Sequence, residues 1–304
     1  MGDFTTMSAR LYCSLAVLVV ALGGCGPATN AGQQVRSSAK PGSVSAAPAP
    51  PSEAPGPVIR ERPEWRAYFD SERASGTVAL FDSTDGSLSC SDVQKCKLAV
   101  IPASTFKIAN TLIALETGVV EDSETALPWD GTQYPVAEWN QDNTVRTAVR
   151  VSCVPCFQNI ARQIGETRMR DWVQRLNYGN ADTDGGIDRF WLSGELRISA
   201  IEQIDFLRRL ERGKLPVQAR SLEIVRDVLT LDVGRDHVLC GKTGLSRPPD
   251  VATELGWFVG WVELGERRAF FATLVDGHAP EVDPIPLRRR LTERLLRDQQ
   301  LLPD

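Results

Sequence analysis

The chain has 304 residues, 42% hydrophobic and 24% charged, with 34 Lys+Arg against 39 Asp+Glu for a formal net charge of −5. That balance suits one or two soluble domains and excludes a dominant nucleic-acid surface, which rests on clustered positive charge. The only histidines, His237 and His278, cannot furnish a three-histidine zinc site, so no metal is expected and the chemistry must run with little imidazole.

Arg10 precedes LYCSLAVLVVALGG (11–24), a basic flank, a short apolar run and small residues at its end. This predicts a secretory signal peptide over 1–24, too short for the roughly 20 apolar residues of a spanning helix. The run closes Leu22-Gly23-Gly24-Cys25, a pattern that resembles a bacterial lipobox, in which the cysteine takes a lipid and becomes the first residue. Simple cleavage near Gly24 is the plainer alternative. From 25 to 57, Pro, Ala, Ser and Gly dominate, and the segment predicts a disordered tether that cannot bury enough surface to order itself. The folded domain is expected over 58–304, held to a membrane only through the lipid.

Within it, Glu61 to Ala74 predicts a helix with Trp65, Tyr68 and Phe69 on one side, and Thr77 to Phe81 a strand before the Asp85-Gly86 turn. Ser104 to Glu116 predicts a helix with Ile108, Leu112 and Leu115 recurring on one face and Gly118 ending it. Pro155 to Ile164 predicts another, with proline in its first turn. Ser199-Ala200-Ile201-Glu202 is a capping box opening a third, and Leu222 to Leu229 adds a fourth. Strands return at His237–Lys242, Gly256–Glu263 and Arg268–Val275, and a last helix carries Leu287, Leu291 and Leu295. Strands at both ends and helices between predict an antiparallel sheet flanked by terminal helices, with an all-helical region inserted.

The chemistry gathers in three motifs. Ser104-Thr105-Phe106-Lys107 places serine and lysine on one helical face, at an end whose positive dipole favours a serine oxyanion and disfavours a protonated lysine. Lys242-Thr243-Gly244 ends a strand, where a cation and a bare backbone can hold an anionic substrate. Ser152-Cys153-Val154 supplies a hydroxyl able to pass a proton. S-x-x-K followed by K-T-G is the signature of penicillin-recognising serine enzymes. Val154 stands where the asparagine of an S-x-N motif would be.

That departure, with PASTFKIANTLIALETGVV (102–120), VSCVPCFQNIARQIGE (151–166), NYGN (177–180), GGIDRFWLSGELRISAIEQIDFL (185–207), GKTG (241–244) and GWFVGWVE (256–263), resembles the class D, oxacillinase-type β-lactamases over essentially all of 60–303. The resemblance implies the serine β-lactamase/penicillin-binding fold and a hydrolase of β-lactam antibiotics that needs no cofactor beyond carbon dioxide or bicarbonate. It makes Ser104 the acylated nucleophile and Lys107 a carboxylated lysine, the general base of acylation and deacylation. Trp191 would hold the carbamate, Ser152 shuttle a proton to the lactam nitrogen, and Lys242 support that step. Thr243 and Arg288 would bind the substrate carboxylate, Gly244 line the site, the N–H groups of Ser104 and Leu245 form the oxyanion hole, and Val154 pack over Lys107. A carbamate makes a second base unnecessary, and Glu166, expected to close a helix, is assigned no role. Tyr178 and Asn180 are read as architectural.

Export to an oxidising compartment makes Cys90–Cys96 the expected disulfide, with Cys153 and Cys156 expected as two small buried residues rather than a zinc or redox pair. A non-catalytic penicillin sensor and a peptidoglycan transpeptidase compete with the hydrolase. A leader in place of several spanning helices disfavours the first, and the missing S-x-N the second. Nothing in the sequence fixes an oligomeric state.

Overall fold

The computed structural model describes residues 58–247 and 254–303, so the signal peptide, Cys25 and the tether lie outside the described residues. The chain begins with β1 (Ile59–Glu61), a 3-10 turn (Pro63–Trp65), α1 (Arg66–Asp70), β2 (Ala74–Asp82), β3 (Leu88–Cys90) and α2 (Val93–Lys97). A 3-10 turn (Ala103–Phe106) leads into α3 (Lys107–Glu116), then β4 (Ala126–Leu127), β5 (Asn143–Thr144), α4 (Val145–Arg150), α5 (Val154–Ile164), α6 (Glu166–Arg175), α7 (Ala200–Glu211) and α8 (Ala219–Leu229). β6 (Thr230–Val233), β7 (His237–Ser246), β8 (Leu255–Leu264), β9 (Arg267–His278) and α9 (Pro284–Asp298) complete it.

Seven strands form one sheet in the order β1-β3-β2-β9-β8-β7-β6. Every pair is antiparallel except β1 with β3. The sheet is covered on both faces. Phe258, Val262 and Phe271 pack with Trp65, Phe69, Leu287, Leu291 and Leu295 of the terminal helices. Their strand neighbours Trp257, Val259, Trp261 and Phe270 point instead into the core shared with the central helical region. Two covered faces explain why GWFVGWV runs apolar without alternation, since no face is left for water. This is the sheet, flanking helices and helical insertion expected from the sequence.

The first helix is shorter than expected. The segment leaves α1 at Ser71 and enters β2 at Ala74, paired with His278. Gly76 permits that crossing, because a Cβ there would collide with the Leu274 carbonyl oxygen and the Phe69 ring. Helix α3 also differs from its amphipathic expectation: every residue from Lys107 to Ala114 is buried, the polar Lys107, Asn110 and Thr111 included. It packs against helices α5, α6 and α8, while the 3-10 turn ahead of it lies against β7 and β8. A helix buried all round has no solvent face, so its polar residues are held from within. Thr111 Oγ1 donates to the Lys107 carbonyl at 2.7 Å, and Asn110 Nδ2 to the Phe157 carbonyl at 3.4 Å.

Candidate active site

Ser104, where the sequence suggests that the helix starts, lies on the 3-10 turn ahead of α3, and the α-helix itself begins three residues later at Lys107. The turn is entered through Ala103 at φ +50°, a left-handed conformation unusual for a residue with a Cβ. It is clamped by Thr105, whose amide and hydroxyl both donate to the Pro102 carbonyl, at 3.2 and 2.8 Å. In a 3-10 turn residues three apart eclipse, and Lys107 Nζ accordingly donates to Ser104 Oγ at 2.7 Å. Ser104 is 6% exposed and Lys107 not at all. Burial drives the Lys107 pKa well below its ordinary value, and the nearby Lys242 charge lowers it further. Its Nζ stands over the Phe157 ring of α5, 5.5 Å from the centroid.

The strand β7 forms the opposite wall. Gly244 packs so closely on the nucleophile turn that a Cβ there would sit 3.0 Å from the Pro102 carbonyl oxygen and 3.1 Å from Thr105 Cγ2. Trp257 Nε1 ties the neighbouring strand β8 to the Ile101 carbonyl at 2.9 Å. Lys242, 5% exposed, donates to Ser152 Oγ at 3.1 Å and to the Thr243 carbonyl at 2.9 Å. Burial first, and the Arg288 charge second, bring its pKa down to about 7. Thr243 and Leu245 are half-buried on the same strand. A cleft of about 450 Å³ opens at Lys242 and Thr243 and is rimmed by Arg146, Arg150 and Arg289.

Three consecutive arginines begin the second turn of α9, and only one faces inward. Arg289 pairs with Glu293 and Arg290 with Glu72 on the outside. Arg288 is 6% exposed and donates Nη1 to the Gly244 carbonyl at 2.9 Å, while its buried Nε has no partner among the described residues. Burial lowers its pKa to about 10.

Ser152 stands between α4 and α5 at φ +54°, and Val154 opens α5 half-buried. Trp191 is fully buried and stacks on Phe106 at 5.5 Å between centroids, beside Lys107 in the chain. Its Nε1–H has no acceptor among the described residues. Such a buried orphan donor is costly unless something anionic or polar meets it.

The supporting residues include Gln203, which the sequence left unassigned, and Tyr178 and Asn180, which it read as architectural. Gln203 of α7 donates Nε2 to Thr105 Oγ1 at 2.8 Å, and Tyr178 reaches the same hydroxyl at 3.5 Å. They form a buried polar brace beneath the nucleophile turn. A glutamine on the apolar face of α7 was the one available hint. Asn180 braces the loop after α6 through Arg197 N and the Glu195 carbonyl, both at 2.9 Å.

Two expectations are overturned. The disulfide joins Cys153 to Cys156, with Cα atoms 5.4 Å apart, while Cys90, Cys96 and Cys240 are buried free thiols. The C-x-x-C spacing across the first turn of α5 brings the sulfurs within bonding reach. Cys90 and Cys96 hydrogen-bond each other instead, which with burial pushes the Cys90 thiol up, and Cys96 also meets Thr77 Oγ1 at 3.2 Å. Glu166 does not close a helix. Gly165, at φ +81°, breaks the chain so that Glu166 opens α6, exposed beside Arg170 and Thr183 rather than in the site.

The penicillin binding protein transpeptidase domain matches residues 76–296. The chain is 40% identical to β-lactamase OXA-48 of Klebsiella pneumoniae over 244 residues, 80% of this chain and 91% of that one. It is 36% identical to β-lactamase OXA-10 of Pseudomonas aeruginosa over 248 residues, with the same coverage of 80% and 91%. Among solved structures, the class D β-lactamase YbXI from Nostoc superposes with a TM-score of 0.75 at 37% identity, over 78% of this chain and 99% of its own. FUS-1 (OXA-85), a class D β-lactamase from Fusobacterium nucleatum subsp. polymorphum, gives 0.76 at 32% identity over 80% and 100%. The architecture is thus the penicillin-binding/β-lactamase fold, and the chain belongs to the class D β-lactamases.

Proposed function

We propose that the protein hydrolyses the amide bond of penicillin-type β-lactams through an acyl-enzyme on Ser104, and so confers resistance to them. The observation that carries this is the 2.7 Å contact between Ser104 Oγ and an amine whose complete burial lowers its pKa well below the ordinary lysine value. A neutral amine reacts with carbon dioxide, and a carboxyl group on Lys107 Nζ would supply the general base for both acylation and deacylation. Trp191 Nε1–H, without another partner, and the hydroxyls of Ser104 and Ser152 are the donors this chain offers such a buried anion, which is tolerable only when hydrogen-bonded.

Ser104 Oγ gives up its proton and attacks the lactam carbonyl. The N–H groups of Ser104 and Leu245 receive the developing oxyanion. Ser152, bonded to Lys242, hands a proton to the departing nitrogen. Thr243 and Arg288 hold the substrate carboxylate, for which a guanidinium fork is suited, and Val154 limits water beside Lys107. A water molecule then cleaves the Ser104 ester. Mass spectrometry after brief exposure to a slow β-lactam should find the adduct on the Ser104 peptide and show it decay. An adduct that never decays marks a penicillin sensor, and one on another serine removes Ser104 from the mechanism.

The Leu22-Gly23-Gly24-Cys25 pattern after an apolar run supports export across the cytoplasmic membrane with a lipid on Cys25. Cys25→Ser protein should then be recovered in soluble form, whereas a wild-type protein already soluble with a different first residue would refute the anchor.

A further inference from the structure

We propose that the Cys153–Cys156 disulfide is a positioning element for Ser152, holding its hydroxyl on Lys242 by fixing the start of α5. This role rests on the acyl-transfer function proposed above and concerns a bond that the function itself does not require.

Ser152 needs holding. Its φ of +54° is left-handed, a conformation that a residue with a Cβ keeps only when its surroundings over-determine it. On its N-terminal side the constraints are plain. Cys153 N donates to the Ala148 carbonyl at 2.9 Å and Ser152 N to the Val149 carbonyl at 3.2 Å, closing the end of α4. Trp139 Nε1 holds the Val151 carbonyl at 3.1 Å. On the C-terminal side the chain enters α5 directly, and the entry lacks the usual oxygen cap.

Two other helices show what is missing. In α4 Thr144 and Thr147, and in α7 Ser199 and Glu202, the residue before the helix and the third residue within it bond each other reciprocally. In α5 those two positions are Cys153 and Cys156. Cys153 Sγ accepts only a sulfur hydrogen bond from Cys156 N at 3.2 Å, a poor substitute for an oxygen. The covalent bond closes the same N-cap-to-N3 ring that a capping box closes non-covalently. It therefore fixes Cys153, the residue bonded to Ser152, against the first turn of the helix that also carries Val154 and Phe157.

A bridge spanning so few residues constrains the unfolded chain little, which directs its effect to local order. Reduction should leave the fold standing. The bond is reachable: Cys153 is fully buried, but Cys156 is half-buried and lines a small cleft of about 120 Å³ with Trp129, Tyr134 and Trp139. A dithiol opens it by attack of one thiolate on Cys156 Sγ and expulsion of the Cys153 thiolate. The second thiolate then displaces Cys156, so the dithiol is oxidised to its own disulfide and two electrons and two protons pass to the cysteines. No other disulfide exists among the described residues to confuse the result.

The test compares oxidised protein, protein reduced with dithiothreitol, and the Cys153→Ala/Cys156→Val variant. Two readouts are followed, hydrogen exchange at the Ser152 and Cys153 amides and the acylation rate with nitrocefin, resolved from deacylation. Reduction should speed exchange at those amides and slow acylation about tenfold with deacylation nearly unchanged. The variant should behave like reduced protein and ignore the reductant. Unchanged exchange and acylation on reduction overturn the positioning role, as does an equal slowing of both chemical steps, which would mark general loosening. If exchange responds but neither form ever acylates, the positioning role stands and the acyl-transfer function falls.

Discussion

The domain buries two lysines within one site, and they are held in opposite ways. Lys107 comes from a helix through the centre of the fold and has one polar contact, the Ser104 hydroxyl. Lys242 comes from a sheet strand and has two acceptors, Ser152 Oγ and the Thr243 carbonyl. Both amines lose affinity for protons because burial penalises the charged form. Lys242, with two acceptors, is brought to about 7 by burial and the Arg288 charge, poised to gain or lose a proton at working pH, while burial and the Lys242 charge lower the Lys107 pKa well below its ordinary value. Burial alone does not assign a role: what each amine can donate to separates a nucleophile toward carbon dioxide from a proton-relay partner.

The largest expected effect is on Lys107. Lys107→Ala should lower kcat by about 10³-fold, the usual scale for losing a positioned general base, and trap the acyl-enzyme on Ser104. Lys242→Ala should slow acylation more than deacylation, since its partner Ser152 serves the departing nitrogen. Rapid-quench mass spectrometry separates the two, and equal trapping by both variants would erase the distinction. Bicarbonate sharpens it. In degassed, mildly acidic buffer, activity should fall and then recover on adding bicarbonate, in wild type and in Lys242→Ala alike.

Next comes Trp191. Trp191→Phe keeps a ring on Phe106 but removes the donor. Losing one hydrogen bond to a charged group costs about 1.5–3 kcal/mol, so deacylation should slow roughly 10–100-fold. Excess bicarbonate should recover part of it, which lost packing would not allow. Arg288→Leu tests the other wall. It removes the inward guanidinium and the charge that helps depress Lys242. KM should rise roughly 30-fold, for about 2 kcal/mol of charge-assisted binding. The ionisation near 7 in the kcat/KM profile should move upward while bicarbonate dependence stays.

The sequence disclosed four strands of the sheet, β2, β7, β8 and β9, the capping box at Ser199 and the S-x-x-K and K-T-G motifs because each is written in local periodicity or fixed spacing, whereas the short strands β1, β3 and β6 were not foreseen. It also singled out Arg288 among three adjacent arginines, the one that α9 turns inward. What it did not disclose depends on contacts distant in the chain. The apolar stripe of 104–116 predicts one buried face, yet α3 is enclosed on all sides, a fact set by the helices packed around it. Gln203 is 98 residues from the Thr105 that it braces. The disulfide was misplaced because Cys90 and Cys96, close in sequence, sit on β3 and α2 as a thiol pair, while Cys153 and Cys156 straddle a helix start whose geometry brings their Cα atoms to 5.4 Å.

The smallest expected effect is on stability, and its sign follows from proton linkage. Both lysines have folded-state pKa values depressed from 10.5. Above 10.5 neither the folded nor the unfolded chain carries these protons, and the domain keeps its full stability. As pH falls, the unfolded lysines bind protons first, so unfolding gains and stability declines until each folded lysine is also protonated. For Lys242 that window runs from 10.5 down to about 7, with a slope approaching 1.4 kcal/mol per pH unit, the worth of one proton. Lys107, whose folded pKa is also depressed, adds a slope of the same sign below 10.5. Denaturant midpoints in degassed buffer should therefore differ by variant. Lys242→Met should flatten the stability curve only above about 7, and Lys107→Met should also flatten it below 10.5. Subtracting wild type from each variant cancels the tyrosines and surface groups that titrate alike in all three. If Lys242→Met leaves the slope between 10.5 and about 7 unchanged, burial does not depress that lysine and the assignment of the ionisation near 7 to it is wrong.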